Sequence, residues 1–431
     1  MRIPTPADPL TAIAYVALLI AVTLLTMRRP AYGVAALIVC QPFALYGDVF
    51  DTTITLPKVA LIGVLLGVAS FPRAFAPLAF GTPWRLLIAG SLVVAATALS
   101  SVQAAHHAPV ARESFKALEY VLLFAVIVAA YRLDPDRRIV RVAVLSVTIV
   151  VALLALAQGA IRAPSAFLMH GHLLPRVAGP LEGPNQLAGY FDVALPLVFA
   201  LTVEEASALA IASLVLISFT DVLTFSRGGA LGAAAGLVAV AWTLRHNLRA
   251  ALLSVIGGLA GGFACSAFWG LAAHTLALAH FWDFSESPGG GVGSRPVLWR
   301  AAALLWRSHP WLGVGAGNFE LEITQTGIRG VRTHANSLYL QSLVEGGIPL
   351  FASTVWLAYV SIASFARERL SSPFAAAAFA ASIGLGVHQI IDLLVFYPKV
   401  GGWWWIVLGL GAAASLAPVR AAGAREWAEA S

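Results

Sequence analysis

Residues 1–30 read MRIPTPADPLTAIAYVALLIAVTLLTMRRP. The apolar run at 10–27 is about as long as a helix must be to cross the hydrocarbon core of a bilayer. A small-residue cleavage site does not follow this run, so we expect a retained first span and not a cleaved signal peptide. Similar apolar runs recur along most of the chain, and this repetition decides the fold class.

The overall composition agrees with a membrane protein. Hydrophobic residues make up 59% of the chain and charged residues 11%, whereas soluble domains have about 25% charged residues. In lipid the backbone must satisfy its own hydrogen bonds, which long apolar runs achieve as helices. We therefore predict an all-α integral membrane protein with about 12–13 transmembrane helices, forming a single polytopic domain over residues 1–431. The predicted spans are 10–27, 31–46, 57–71, 84–101, 112–131, 139–160, 185–202, 206–225, 228–244, 250–273, 345–366, 373–396 and 400–418.

The distribution of positive charge predicts an orientation. The net charge of +6 lies in short loops and a few polar sites, so we expect no nucleic-acid partner. Lys and Arg in short loops favour the cytoplasmic side. Such residues occur at 28–29, 73, 132–141, 245–249 and 367–369. The segments 47–56, 102–111, 161–184 and 274–335 then face outward, and 274–335 forms one long helical loop between late spans.

This outer loop contains a predicted short helix at 296–308. On it Arg300 and Arg307 share a face, as do Trp299 and Trp306, because residues seven apart lie two turns apart. Such a helix can lie flat at the outer membrane interface with its indoles among the headgroups. An interfacial anchor is therefore one interpretation, and a binding element is the other.

His334 is the candidate catalytic base. Asn336 or Ser337 is a suitable N-cap for the helix LYLQSLVE that follows, and the double glycine at 346–347 resembles a C-cap. A histidine just before a helix N-terminus is disfavoured as imidazolium, so a neutral ring that accepts a proton is expected. The alternative is a loop histidine that is hydrogen-bonded to backbone.

Four arginines predict an anion site on the outer side. Arg176 precedes a span, Arg227 lies within or near the membrane, and Arg295 and Arg300 open the loop helix. Guanidinium groups match phosphate oxygens in pairs and do not deprotonate near neutral pH. Their convergence would suit a lipid-linked phosphate or pyrophosphate, while each arginine alone is also compatible with snorkelling to headgroups.

Other polar residues are candidates for supporting roles. Glu345 precedes the double glycine and can orient the His334 segment, and Glu182 lies where it can pair with an arginine near Asn185. His388 and Asp392 are four apart in a predicted span and so would share a helix face, either behind the site or as a structural pair. Asn336 and Asn185 complete this supporting set. The outer segments contain no DxD motif and no HExxH motif, so the sequence does not require a metal ion.

Four segments resemble the O-antigen ligase and O-antigen polymerase superfamily of bacterial membrane glycosyltransferases. The segments are R-V-A-G-P-L-E-G-P-N (176–185), S-R-G-G-A-L-G (226–232), S-R-P-V-L-W-R-A-A through G-V-G-A-G-N-F (294–319) and H-A-N-S-L-Y-L-Q-S-L-V-E-G-G (334–347). The third and fourth carry most of the resemblance because of their order within a many-spanning chain.

The resemblance implies a multi-pass enzyme of the bacterial inner membrane with its active site facing the periplasm. It implies a polyprenyl-pyrophosphate-linked glycan donor of the undecaprenyl type, a glycan or glycolipid acceptor, and inverting transfer without a metal or other cofactor. By position His334 matches the family's essential histidine, and Arg227 and Arg295 match its essential arginines. Arg176 and Arg300 match as further contributors.

Several functions remain open at this point. An O-antigen ligase that uses a lipid A-core acceptor is favoured on general resemblance alone, a polymerase of O-antigen or exopolysaccharide is the alternative, and a protein-glycosylating relative is a third. A transporter is a candidate function from a different class of protein, since Arg227, His388 and Asp392 lie in or near spans. A non-catalytic scaffold is a further candidate. Transporters tend to contain paired repeats with broken helices, and no such repeat is evident here.

Overall fold

The computed structural model describes residues 9–43, 46–49, 52–160, 166–169, 172–244, 248–273, 295–328 and 333–416. Within these ranges the chain forms fifteen α-helices, three short 3-10 turns and two antiparallel β-hairpins. The helices are α1 (Pro9–Arg28), α2 (Pro30–Cys40), α3 (Leu56–Ala69), α4 (Gly81–Leu99), α5 (His107–Leu133), α6 (Arg137–Ala160), α7 (Pro184–Glu204), α8 (Ala208–Val222), α9 (Arg227–Thr243), α10 (Leu248–Ala273), α11 (Arg295–Ser308), α12 (Phe319–Glu322), α13 (Leu338–Glu368), α14 (Pro373–His388) and α15 (Pro398–Ser415). The hairpins pair β1 (Tyr46–Val49) with β2 (Thr52–Thr55) and β3 (Ala166–Met169) with β4 (His172–Pro175).

The prediction of an all-α integral membrane protein is confirmed. Each of the thirteen predicted spans corresponds to a helix, from α1 to α10 and from α13 to α15. Among the described residues, five helices are long and apolar enough to cross a membrane by length and composition: α4, α5, α6, α7 and α13. The total of twelve or thirteen crossings stays a prediction. The two hairpins were not predicted; both lie in segments expected to face outward.

Contacts between connecting segments define two ends of the helix bundle. At one end Asn318 donates to the His106 carbonyl oxygen at 3.0 Å, and the Leu338 amide donates to the Gln389 carbonyl oxygen at 3.0 Å. At the other end Arg29 pairs with Asp134 at 3.1 Å, where α5 ends. We call the first the site end and the second the opposite end. The predicted outward segments around residues 106 and 318 thus meet at the site end.

Two helices run through the centre of the bundle. Every residue of α7 from Leu187 to Thr202 is buried, and so is every residue of α15 from Lys399 to Ala413. A helix that is apolar on all sides belongs in the interior. Helix α14 packs against both of them and against α9, so the polar residues near the site ends of α7, α9 and α14 are held by a fully packed core.

The predicted helix stop at the double glycine is a break inside α13. Gly347 has φ 60° and ψ −156°, which is not helical, and the chain resumes a helix through Pro349. The segment before α12 fills the break: the Val314 and Gly315 amides donate to the carbonyl oxygens of Val344 and Glu345 at 3.0 and 2.8 Å. The carbonyl groups at the break thus accept hydrogen bonds from the outer loop, and these bonds fix that loop against α13.

Replacement of Gly347 by alanine is expected to destabilise the protein. Its backbone conformation is one that essentially only glycine adopts, and a Cβ there would lie 2.2 Å from the Trp311 carbonyl oxygen. The strain alone costs on the order of 1–3 kcal/mol. We expect a lower midpoint of thermal unfolding in detergent. Gly258→Ala in α10 is the matched control, because no atom of a packing neighbour lies within 4 Å of its Cβ position. An equal midpoint for the two variants would contradict this account.

Candidate active site

Two predicted arginines meet around one buried carboxylate. Asp392 Oδ2 accepts a hydrogen bond from Asn185 Nδ2 at 2.7 Å and lies 3.5 Å from Arg295 Nη2. Arg176 Nη2 donates to Asn185 Oδ1 at 2.7 Å. We call Arg176, Asn185, Arg295 and Asp392 the Asp392 cluster. It brings together residues from the segment before α7, the first turn of α7, the start of α11 and the segment after α14.

The Asp392 cluster carries excess positive charge. Two guanidinium groups lie near one carboxylate, Arg295 directly and Arg176 through Asn185, and Arg176 is largely withdrawn from water. Burial lowers the pKa of Arg176 to about 10, the nearby Arg295 lowers it too, and Asp392 opposes both. Arg176 is still charged near pH 7. A cluster with this imbalance is suited to an anion, because an added negative charge would relieve repulsion between the guanidinium groups.

Arg227 begins α9 beside this cluster. Arg176 Nε donates to the Thr224 carbonyl oxygen at 2.6 Å and so ties the segment before α9 to the cluster. Phe225 has a φ of 52°, a left-handed conformation that bulky residues rarely adopt. Ser226 caps the helix, its hydroxyl accepting from the Gly229 amide at 3.1 Å. The sharp turn and the cap together set where Arg227 leaves the backbone.

The structure does not bring Arg300 to the same face of α11 as Arg295. Residues five apart differ by about 140° around an α-helix. Arg300 is exposed, whereas Leu298, Ala301 and Leu305 form the buried face of α11 against Ala335 and Val344. The helix itself starts one residue earlier than predicted, and its buried face is apolar. The residues 274–294 that precede it lie outside the described part of the chain.

His334 lies in the short segment before α13. Its Nε2 is 2.9 Å from the Tyr397 hydroxyl, and its ring packs against the Phe396 ring with centroids 5.3 Å apart. Ser337 caps α13, and Asn336 takes a left-handed φ of 49°, so Ser337 rather than Asn336 is the N-cap. The pKa of His334 is lowered, mainly by burial and against the opposing field of Asp392. The expected neutral ring is therefore supported, with desolvation as its main cause.

One segment links the histidine to the arginines. Residues 389–397 join α14 to α15 and contain both Asp392, which contacts Arg295, and Tyr397, which contacts His334. The Leu338 amide donates to the Asp392 carbonyl oxygen at 3.0 Å, which fixes the start of α13 to the same segment. The candidate base and the cationic cluster are thus held by one short piece of chain.

A cavity of about 500 Å³ opens beside His334. Its walls come from the start of α3, α5, the segment 317–320, α13 and the segment before α15. The lining residues are Lys58, Arg112, Glu113, Phe115, Lys116, Glu119, Gly317, Glu320, Thr333, His334, Gln341, Glu345, Phe396 and Pro398. The charged side chains among its lining residues and its size suit a sugar-sized group that reaches the histidine.

The charged turn of α5 is the part of this site that sequence reasoning missed. In the sequence alone, Arg112, Glu113, Lys116 and Glu119 are interpreted mainly as pairing among themselves, and Lys116 does pair with Glu113 at 2.5 Å. Lys116 also donates to the Phe396 carbonyl oxygen at 3.0 Å, with its ammonium 3.7 Å from the centre of that ring. Four charged side chains within eight residues at the outer start of a span were the available signal.

Glu345 supports the loop and the His334 segment. Its Oε1 accepts from the Phe319 amide at 3.2 Å, and its side chain is hydrogen-bonded to Gln341. Gln341 Oε1 in turn accepts from the Ala335 amide at 2.7 Å, one residue from His334. The contacts agree with the supporting position expected for Glu345.

Two expected pairings are wrong. Helix α14 ends at His388, so His388 and Asp392 do not share a helix face; Asp392 lies in the irregular segment that follows, and His388 pairs with Asp192 on α7. Glu182 pairs with Lys399 at 3.4 Å instead of with an arginine. In both cases a partner far away in sequence replaces the neighbour that spacing suggested.

Within the described ranges, no group of three His, Cys, Asp or Glu side chains is arranged to hold a metal ion.

Comparison with known proteins covers part of this site. Residues 212–355 match the family model described as O-antigen ligase, which covers about one third of the chain. The matched region includes Arg227, Arg295 and His334, and it supports a membrane enzyme of glycan transfer. Curated proteins gave no significant match. The segment from residue 212 to residue 355, which contains Arg227, Arg295 and His334, is thus similar to the O-antigen ligase family.

Proposed function

We propose that this protein transfers a glycan from a polyprenyl-pyrophosphate carrier to a hydroxyl group of an acceptor sugar, as an O-antigen ligase with a lipid A-core type of acceptor does. The observation that carries the proposal is the attachment of the Asp392 cluster and of His334 to the same segment, 389–397. Cations for a diphosphate and a base for an alcohol are the two groups that such a transfer needs.

The donor pyrophosphate would bind at Arg227 and Arg295. Charge-assisted hydrogen bonds from guanidinium to phosphate are strong and paired. During transfer the bond between the anomeric carbon and the phosphate oxygen breaks, and its electron pair leaves with the lipid pyrophosphate. Fixed cations in a poorly hydrated site stabilise this growing negative charge without having to reorganise. Arg176, whose Nε and Nη2 donate within the protein, would act from behind by holding Asn185 and the Thr224 carbonyl. Arg300 remains a candidate for the more distant parts of the donor.

His334 would be the general base. Burial raises the pKa of Tyr397 to about 12, so its hydroxyl stays protonated and can donate to Nε2 of a neutral His334. We assign Nε2 as the accepting atom: an acceptor hydroxyl entering through the 500 Å³ cavity would take over the hydrogen bond that Tyr397 makes. Its oxygen attacks the anomeric carbon opposite the leaving group, which inverts the configuration, and its proton passes to Nε2.

The proposed location is a bacterial inner membrane, with the site end facing the periplasm. Short loops rich in Lys and Arg favour the cytoplasm, and the opposite end of the bundle contains Arg29, Arg137 and Arg141 in ion pairs with acidic residues. This orientation would present the site to donors and acceptors in the outer leaflet.

The direct test is a transfer assay with purified protein in detergent or liposomes. We expect the protein to consume a polyprenyl-pyrophosphate glycan and release the pyrophosphate lipid only when an acceptor is present. A lipid A-core acceptor and a second lipid-linked repeat are supplied in separate reactions. Product with the first acceptor supports the ligase, product with the second alone supports the polymerase, and transport of intact donor without release would contradict both.

The rate of transfer should depend on pH in a defined direction. The base must be neutral to accept a proton, and burial lowers the pKa of His334 from its ordinary value of 6.5. Activity should therefore persist at neutral pH and fall only as pH drops below that value. We expect the acidic limb of kcat/KM to have its midpoint below pH 6.5, and the residual activity of His334→Gln to lack that limb. A midpoint above 6.5 would count against His334 as the base.

A further inference from the structure

A second polar pair lies deeper in the bundle than the Asp392 cluster. His388 Nδ1 and Asp192 Oδ2 are 2.6 Å apart, and both side chains are fully buried. A buried ionisable pair is costly unless each member is hydrogen-bonded, so its presence calls for a role. The carboxylate holds the Nδ1 proton, which directs the other ring nitrogen, Nε2, away from α7.

Helix α9 rests directly on this pair. A Cβ built at Gly228 would lie 2.4 Å from His388 Cδ2, and one built at Gly232 would lie 2.7 Å from Asp192 Oδ1. The two glycines are four apart and so occupy one face of α9. Any side chain on that face would have to displace the pair. His388 and Asp192 therefore set how closely the first two turns of α9 pack against α7 and α14, and how α9 is rotated about its own axis.

The pair also reaches the cap of α9. Ser226 Oγ lies 3.4 Å from His388 Nε2 while it accepts from the Gly229 amide. A chain of contacts thus runs from Asp192 through His388 to Ser226, the residue immediately before Arg227. Arg176 holds the same turn from the other side through the Thr224 carbonyl oxygen.

We propose that His388 and Asp192 form a positioning pair for Arg227, fixing the start of α9 so that the guanidinium is aimed at the donor pyrophosphate. The inference rests on the proposed function of Arg227. It assigns no contact between the pair and the substrate. The pair acts through the backbone of residues 226–228. It fixes the position of α9 against its neighbours and the rotation of α9 about its own axis.

A double-mutant cycle tests this role. His388→Asn keeps a donor toward Asp192 and loses the contact with Ser226. We expect it to lower kcat/KM for the donor about tenfold, with KM for the acceptor unchanged. Combined with Arg227→Lys, it should lower donor kcat/KM by less than twofold further, because the group that it positions is already impaired. Asp192→Asn, a milder change of equal shape, should give the same pattern if His388→Asn does not accumulate in the membrane.

Ser382→Ala is the matched structural control. It lies on the same helix as His388 and removes a buried hydrogen bond from Trp404 Nε1 at 3.2 Å. Its effect should simply add to that of Arg227→Lys. Effects of His388→Asn and Arg227→Lys that add in an active enzyme would overturn the positioning role and leave the proposed function standing. A wild-type protein that consumes no donor with any acceptor would overturn both.

Discussion

Replacement of His334 by alanine is expected to lower kcat for glycan transfer by roughly 10²–10⁴-fold, the range typical for loss of a general base. The imidazole of His334 is hydrogen-bonded to the Tyr397 hydroxyl, and His334 lines the cavity. Without it the acceptor hydroxyl has no side-chain base at this position and must lose its proton to water, which is a weaker base than imidazole. The measurement is the initial rate of pyrophosphate-lipid release at saturating donor and acceptor.

The protein should still fold after this change. The start of α13 is fixed by the Ser337 cap and by the Leu338 amide, which donates to two carbonyl oxygens of the segment 389–397. We expect unaltered membrane accumulation and elution of a single species in detergent. His309→Ala is the matched control, since His309 lies in the same outer loop and its side chain contacts the neighbouring Ser308. Wild-type rates for His334→Ala would remove the histidine from the mechanism.

Arg227→Lys is expected to lower kcat/KM for the donor by roughly 10–100-fold. The substitution keeps the charge and replaces a planar fork by a single ammonium, so paired contacts to phosphate are lost. Hydrogen bonds to charged groups contribute about 1.5–3 kcal/mol each, which converts to that range at about 1.4 kcal/mol per factor of ten. Arg295→Lys should behave similarly and should also weaken the contact with Asp392.

The control for the two lysine variants is Arg249→Lys. Arg249 is exposed near the start of α10, at the opposite end of the bundle, and lies far from the proposed donor. Donor titrations at fixed acceptor separate KM from kcat for each variant. A donor affinity in Arg227→Lys equal to that of the wild type would rule out a paired contact between Arg227 and the pyrophosphate.

The helices were largely predictable because their signals are local. The run at 139–160 corresponds to α6 (Arg137–Ala160), and the predicted loop helix at 296–308 corresponds to α11 (Arg295–Ser308). These signals are long apolar runs, a proline in a first turn and a glycine at a break. Each one affects the backbone conformation only within a few residues of its own position. Prediction failed where the chain leaves a helix early, as at His388, because the apolar run continues after the hydrogen-bonding pattern has changed.

The candidate residues were predictable as a set and not as an arrangement. Basic and titratable side chains in outward segments identified His334 and the arginines. Their partners were not identifiable in this way: Asp192 sits inside an apolar span, and Lys116 looked paired within its own turn. A carboxylate in a buried helix carries no sign of which neighbour it faces until the helices pack.

By itself the sequence determined that this is a helical membrane protein and where most helices begin and end, and it named the candidate side chains for binding a diphosphate and accepting a proton. Only the tertiary structure decided which of them meet. Asn185 and Asp392 are 207 residues apart in sequence and 2.7 Å apart in space. Hydrophobic periodicity is set by neighbours within one or two turns, whereas such a contact depends on how α7 and α14 pack, and that depends on the whole bundle.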